Sequence, residues 1–305
     1  MQIIKFSYKM ECKRILEKKD KEGTTIMKTA VVTDSTAYIP KEIRDEYNIH
    51  MIPLSVVFGN ETYQEEVDIS AAEFFEEVKH KDLPTTSQPS VGKFAELFDQ
   101  LSKEYDAVIS IHLSSGISGT FQGAVTAGQM VDDISVYAFD SEISCMVQGF
   151  YVIEAAKMAR EGIEPEKILE RLNEMKKSIR AYFMVDDLSH LQRGGRLSSA
   201  QAIIGSLLKV KPLLHFENKV IVPFEKIRTK KKAMKRIADM LEEATKNDGE
   251  YQAVIIHANR EEDALEWKAE LEPLLPNVEF TISYFGAVIG THLGEGAMGL
   301  GWVRK

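Results

Sequence analysis

Two periodicities divide the chain. Residues 29–33, 50–58, 107–113 and 135–139 are short apolar runs rich in β-branched residues, the pattern of strands buried on both faces. Between them, residues 41–47, 71–80, 120–130 and the stretch through Lys103 read as helices. In that stretch Phe94, Leu97, Phe98 and Leu101 share one face. Ser70 with Glu73 three residues on predicts a capping box. Gly59-Asn60 predicts a turn that folds residues 55–66 into a hairpin, and the Pro/Ser/Thr-rich residues 84–90 read as a connector. Alternation of this kind predicts a doubly wound parallel sheet, with ligands at the C-terminal ends of its strands.

Beyond Ser141 the pattern changes. Helical stretches 143–160 and 165–177 are separated by Gly162, and strand-like runs follow at 181–185, 211–215, 220–223, 253–257 and 278–283. Helices are predicted at 198–208, 230–244 and 262–274, and the chain ends on a glycine-rich segment, 294–303. The expected fold class is therefore α/β in two domains. Residues 28–180 form a doubly wound parallel-sheet domain, and residues 181–305 form an α+β domain with a mixed or antiparallel sheet. Residues 1–27 read as a non-native or disordered extension, with seven Lys/Arg against four Asp/Glu and no cleavage site. Lys21-Glu22-Gly23 is encodable as a purine-rich ribosome-binding sequence, so translation is expected to start at Met27.

Composition narrows the function classes. The chain has 305 residues, 44% hydrophobic and 28% charged, enough to bury a sizeable core. A formal net charge of −9 argues against binding nucleic acid or an anionic membrane, and no apolar stretch has the length of a membrane span. Cys12 and Cys145 are the two cysteines; without a disulfide framework, the expected compartment is the cytoplasm.

Candidate chemistry falls where strands end. The loop Ser114-Ser115-Gly116-Ile117-Ser118-Gly119-Thr120 joins a buried strand to a helix and gathers N–H groups and hydroxyls at a helix start. That makes it either an anion site or a helix entry with a capping hydroxyl. Asp34 is either a helix cap or a ligand contact. Ser87 either caps the helix after Pro89 or joins Thr86 at a site. His292 lies between glycines on a predicted loop, Arg193-Gly194-Gly195-Arg196 is a flexible basic turn, and the lysines after Arg228 read as a solvated helix start. Ser118, His292 and Asp34 would make a Ser-His-Asp hydrolase set. However, Gly116-Ile117-Ser118-Gly119 is not the G-x-S-x-G elbow, no P-loop follows, and the seven histidines show no metal-type spacing.

Five motifs in order resemble the DegV family of bacterial fatty-acid-binding proteins, to which the FakB-type subunits of fatty acid kinase belong. They are Val32-Thr33-Asp34-Ser35-Thr36, Thr86-Ser87-Gln88-Pro89, the loop 113–120, Gly194-Gly195-Arg196 and His292-Leu293-Gly294-Glu295-Gly296-Ala297. The resemblance runs from about Met27 to Lys305. It implies a carrier, not an enzyme, with one long-chain fatty acid in a tunnel between the domains and no other cofactor. Thr86, Ser118 and His292 would hold the carboxylate, supported by Ser87, Gly119, Thr120 and Arg196. A partner kinase would phosphorylate it, with Arg228 near the docking surface. A carrier of another anionic lipid and a serine hydrolase are the alternatives.

Overall fold

The computed structural model describes residues 27–197, 211–246 and 249–305. The segment before Met27 and the predicted helix 198–208 lie outside the described residues. In chain order the first strands are β1 (Thr29–Asp34), β2 (Ile49–Ile52), β3 (Ser55–Phe58), β4 (Glu61–Gln64), β5 (Thr85–Ser87), β6 (Ala107–His112) and β7 (Ser135–Asp140). Four of them form a wholly parallel sheet in the order β2-β1-β6-β7. Every residue of β1 and β6 is buried, as their continuous apolar runs require. From β1 the chain passes to β2 on one side and later to β6 on the other, so the C-terminal ends of β1 and β6 flank the switch point of the sheet.

The predicted strand 50–58 is two strands in two sheets. Pro53 separates them; it has no N–H to continue the ladder. β3 instead centres a small antiparallel sheet, β4-β3-β5. The predicted hairpin is there, and the expected connector 84–90 supplies β5, which sets Thr86 opposite Val56.

The C-terminal part contains β8 (Arg180–Met184), β9 (Lys211–Glu217), β10 (Val220–Ile227), β11 (Tyr251–His257), β12 (Val278–Tyr284) and β13 (Met298–Arg304). They form a mixed sheet, β10-β9-β8-β13-β11-β12, in which β11 and β12 run parallel and the other pairs antiparallel. The glycine-rich terminus, with no predicted strand, is thus an interior strand of this sheet.

One helix joins the two sheets. Cys145–Arg160 buries ten residues, including every one of its first eight, as a helix enclosed on all sides over its first two turns must, and exposes Lys157 and Arg160 near its end. It packs on β1 and β6 on one side and on β11, β12 and β13 on the other. Helices Val91–Leu101 and Thr120–Gly128 cover the far face of the parallel sheet, and Lys230–Thr245 and Glu261–Leu271 cover that of the mixed sheet.

Candidate functional site

A cavity of about 280 Å³ opens between the two sheets. Its walls are mostly apolar: Leu54, Ile143 and Val147 on the N-terminal side, and Phe183, Phe216, Ile256 and Phe285 on the other. Polar groups come from four segments that touch one another. Thr86 Oγ1 lies 2.9 Å from His292 Nε2. Arg196 Nε donates to Ile117 O at 3.1 Å, and a second guanidinium nitrogen donates to Gly194 O. Gly119 packs against the Gln88 side chain, and Gly194 against His292. These contacts link β5, the Ser118 loop, the Gly194 turn and the His292 helix into one polar patch. Among the described lining residues Arg196 carries the only charge, and none is a carboxylate.

Local structure explains each position. Ser118 precedes the helix Thr120–Gly128, whose N-cap, Gly119, offers no side chain. Its Oγ accepts from Thr120 N at 3.3 Å and shares a 2.9 Å hydrogen bond with Thr120 Oγ1. Ser118 thus bonds the helix start while it lines the cavity. Thr120 is buried and holds Ser118 in place. The predicted loop around His292 is instead the helix Ala287–Leu293, and His292 occupies its last turn. Ser87 is exposed and caps nothing: Ser90 caps the next helix through Lys93 N. Arg228 is exposed beyond the end of β10 and is not on the cavity wall.

Electrostatics fix the state of His292. Burial and then the nearby Arg196, Arg193 and His190 push its pKa down to about 4, so the imidazole is neutral near pH 7. Its Nδ1 is buried with no hydrogen-bond partner among the described residues. It faces Gly194, where a Cβ would stand 2.2 Å away. With a proton on Nδ1, Nε2 accepts from the Thr86 hydroxyl; with a proton on Nε2, it donates to that hydroxyl. Because Nδ1 faces Gly194, only the second tautomer leaves the pair a donor for a ligand, the Thr86 hydroxyl, and it does so without a net charge.

The Ser-His-Asp set expected for a hydrolase does not assemble. Asp34 Oδ2 bonds His112 Nδ1 at 3.0 Å, Leu113 N at 3.0 Å and Gln148 Nε2 at 3.2 Å. His112 Nε2 in turn lies 2.6 Å from Ser110 Oγ. Asp34, Ser110 and His112 are 0% exposed, so this second Ser-His-Asp chain has no access to substrate. It braces the ends of β1 and β6, and Asp34 also accepts from Thr36 N at the helical turn Ser35–Ala37, the capping role considered above. Among the described residues no group of His, Cys, Asp and Glu is placed to hold a metal, and no helix is long and apolar enough to cross a membrane.

A mixed α/β frame around a mostly apolar cavity with a polar patch free of carboxylates among the described residues defines a class of small-molecule binding proteins. The family model described as "Uncharacterised protein, DegV family" matches residues 28–305, and the chain belongs to that family. It is 64% identical over 281 residues to the protein DegV of Bacillus subtilis, covering 92% of this chain and 100% of that one. The crystal structure of that DegV, described as a fatty acid binding protein, matches with a TM-score of 0.88 over the same shares of the two chains. A fatty acid binding DegV family protein from Streptococcus agalactiae matches at 35% identity and TM-score 0.84, covering 92% of this chain and 99% of that one. A DegV family protein from Thermus thermophilus, described for its fatty acid binding, matches at 30% identity and TM-score 0.86, with 92% and 100% covered.

Proposed function

We propose that this protein is a cytoplasmic carrier that holds one long-chain fatty acid and presents its carboxylate to a partner kinase for acyl-phosphate formation. The tail lies in the apolar cavity; Thr86, Ser118 and His292 hold the head group; Arg196 braces the Ser118 loop, and Arg228 lies on the face that meets the kinase. On this reading residues 28–180 and 181–305 act as two domains with the ligand between them. The observation that carries the proposal is the polar patch gathered around the 2.9 Å Thr86–His292 contact in a mostly apolar cavity.

The division of labour follows from magnitudes. Burying an acyl tail contributes about 0.8 kcal/mol per CH₂, so roughly 14 methylenes supply on the order of 11 kcal/mol before the costs of ordering the chain. Each hydrogen bond to the carboxylate adds about 1.5–3 kcal/mol. Affinity therefore comes from the tail, and orientation from the head-group residues. Arg196 directs two of its donors at backbone carbonyls; a head group held by hydroxyls and a neutral imidazole rather than by a bidentate arginine clamp stays able to act as a nucleophile. The test is to denature the purified protein, extract it with solvent and weigh what is released. A near-stoichiometric fatty acid is expected, and His292→Ala should weaken its retention about tenfold or more while the fold persists. An empty protein, or one loaded with a phosphorylated lipid, overturns the fatty-acid assignment.

A further inference from the structure

The helix that carries His292 cannot hold itself in place. Ala287–Leu293 spans seven residues, and its N-cap is Gly286, which supplies no capping side chain; so short a helix is unstable alone. Its first N–H groups are satisfied from a distant part of the chain. Val288 N donates to Glu65 Oε1 at 2.7 Å, and Ile289 N donates to Tyr38 Oη at 3.4 Å. Tyr38 Oη itself donates to Glu65 Oε1 at 2.9 Å, Ser35 Oγ donates to Glu65 Oε2 at 2.6 Å, and Leu54 N donates to Ser35 Oγ at 3.1 Å. Glu65 is 1% exposed and is not on the cavity wall. The close approach depends on Gly286, where a Cβ would stand 2.4 Å from the Tyr38 ring and 2.8 Å from Glu65 Oε1.

We infer that Glu65 is the positioning residue for His292, acting through the N-terminus of the Ala287–Leu293 helix. Val288 and His292 are four residues apart and so lie on the same side of this helix, and both face the cavity. A carboxyl group suits the place because its Oε1 accepts from Val288 N and Tyr38 while Oε2 bonds Ser35 Oγ, and in the ionised form it also complements the positive end of the helix. Glu65 never touches the ligand; it sets the height and rotation of the helix that presents the imidazole. The consequence for binding rests on the fatty-acid reading of the site, whereas the structural coupling does not.

The experiment compares the full-length protein with Glu65→Gln and Glu65→Asp. Gln keeps an acceptor toward Val288 N and Tyr38, whereas Asp is one methylene too short to reach them. The readouts are the imidazole NMR signals of His292 in delipidated protein and the dissociation constant of a fluorescent C18 fatty acid. Glu65→Asp is expected to move or broaden the His292 signals while those of His215 and His257, on the mixed sheet, stay put. It should weaken the fatty acid about tenfold, and Glu65→Gln should restore most of both. His292 signals unchanged in a folded Glu65→Asp protein overturn the inference, as does a Gln variant that perturbs His292 as much as Asp does. If Glu65→Asp does not fold, Ser35→Ala, which removes one donor to Glu65, replaces it under the same criteria. A wild-type protein that binds no fatty acid overturns the proposed function, while the NMR comparison still decides the role of Glu65.

Discussion

The protonation state of His292 decides what the polar patch can do. An imidazolium would attract a carboxylate as an ion; a neutral ring that donates from Nε2 to Thr86 leaves the Thr86 hydroxyl to donate the one hydrogen bond. With the pKa held down to about 4 by burial and the neighbouring cations, the ring should stay neutral from pH 8 to below pH 5. Its NMR signals are expected to show no midpoint in that range, and a titration near 6.5 would contradict the assignment. Glu65 is shifted the other way, up to about 7, chiefly by burial and also by Glu66; hydrogen bonds from Ser35, Val288 and Tyr38 oppose the rise. The linkage signs are therefore opposite. Between its ordinary 4.5 and about 7, the folded state keeps a proton on Glu65 that the unfolded chain has lost, so stability from this group falls as pH rises. Between about 4 and 6.5 the unfolded chain protonates a histidine that the folded state keeps neutral, so stability from His292 falls as pH falls. Each amounts to something on the order of 3 kcal/mol. Denaturant melts of Glu65→Gln should thus gain stability relative to wild type as pH goes from 4.5 to 7, and a flat difference would show that Glu65 titrates normally. Gly194→Ala is the steric counterpart. Its Cβ would overlap Nδ1 of His292, so fatty-acid binding should weaken while far-UV circular dichroism stays native.

Elements were legible in the sequence where their signals are local. The helix Lys41–Tyr47 and the Ser70–Glu73 capping box stand where pattern and cap residues put them. Elements whose partners lie far along the chain were not legible. β5 is a three-residue strand made by pairing with β3 some 30 residues earlier, and nothing in Thr85–Ser87 itself announces it. The Ala287–Leu293 helix takes its cap from Glu65, across more than two hundred residues, so its glycines read as a loop. The same distinction assigns the cap before Val91–Leu101. Ser90 Oγ accepts from Lys93 N, whereas Ser87 is exposed in β5. Ser90→Ala should therefore cost about 1 kcal/mol in urea unfolding and Ser87→Ala little; equal losses would mean that Ser87 also supports the helix.

At the scale of the molecule, the order of the five motifs was readable, and four of them contribute to one cavity wall, but the space they enclose was not readable, because the cavity is made by packing between two sheets. β13 shows why. Its even-numbered residues Met298, Leu300 and Trp302 pack under the outer helices. On the opposite face, Gly299 and Gly301 line the cavity, so two missing side chains leave room where a typical strand would fill it. The two glycines are not equivalent. A Cβ on Gly301 would meet Val147 Cγ2 at 2.3 Å and Arg180 O at 3.1 Å, between a central helix and a neighbouring backbone that cannot yield. A Cβ on Gly299 would meet Phe183 Cβ at 3.1 Å, the tip of the Phe285 ring at 3.3 Å and Tyr182 O at 3.3 Å, contacts that shifts of a few tenths of an ångström relieve. Gly301→Ala is therefore expected to destabilise by about 1–3 kcal/mol as overpacking and to lower Tm by several degrees. Gly299→Ala should fold nearly as well as wild type but take volume from the tail. Mass spectrometry of the lipid released from it should then show a shift toward shorter chains. An unchanged chain-length distribution would mean that the acyl tail does not run past β13, and that the floor of its tunnel lies instead against Phe216 and Ile221.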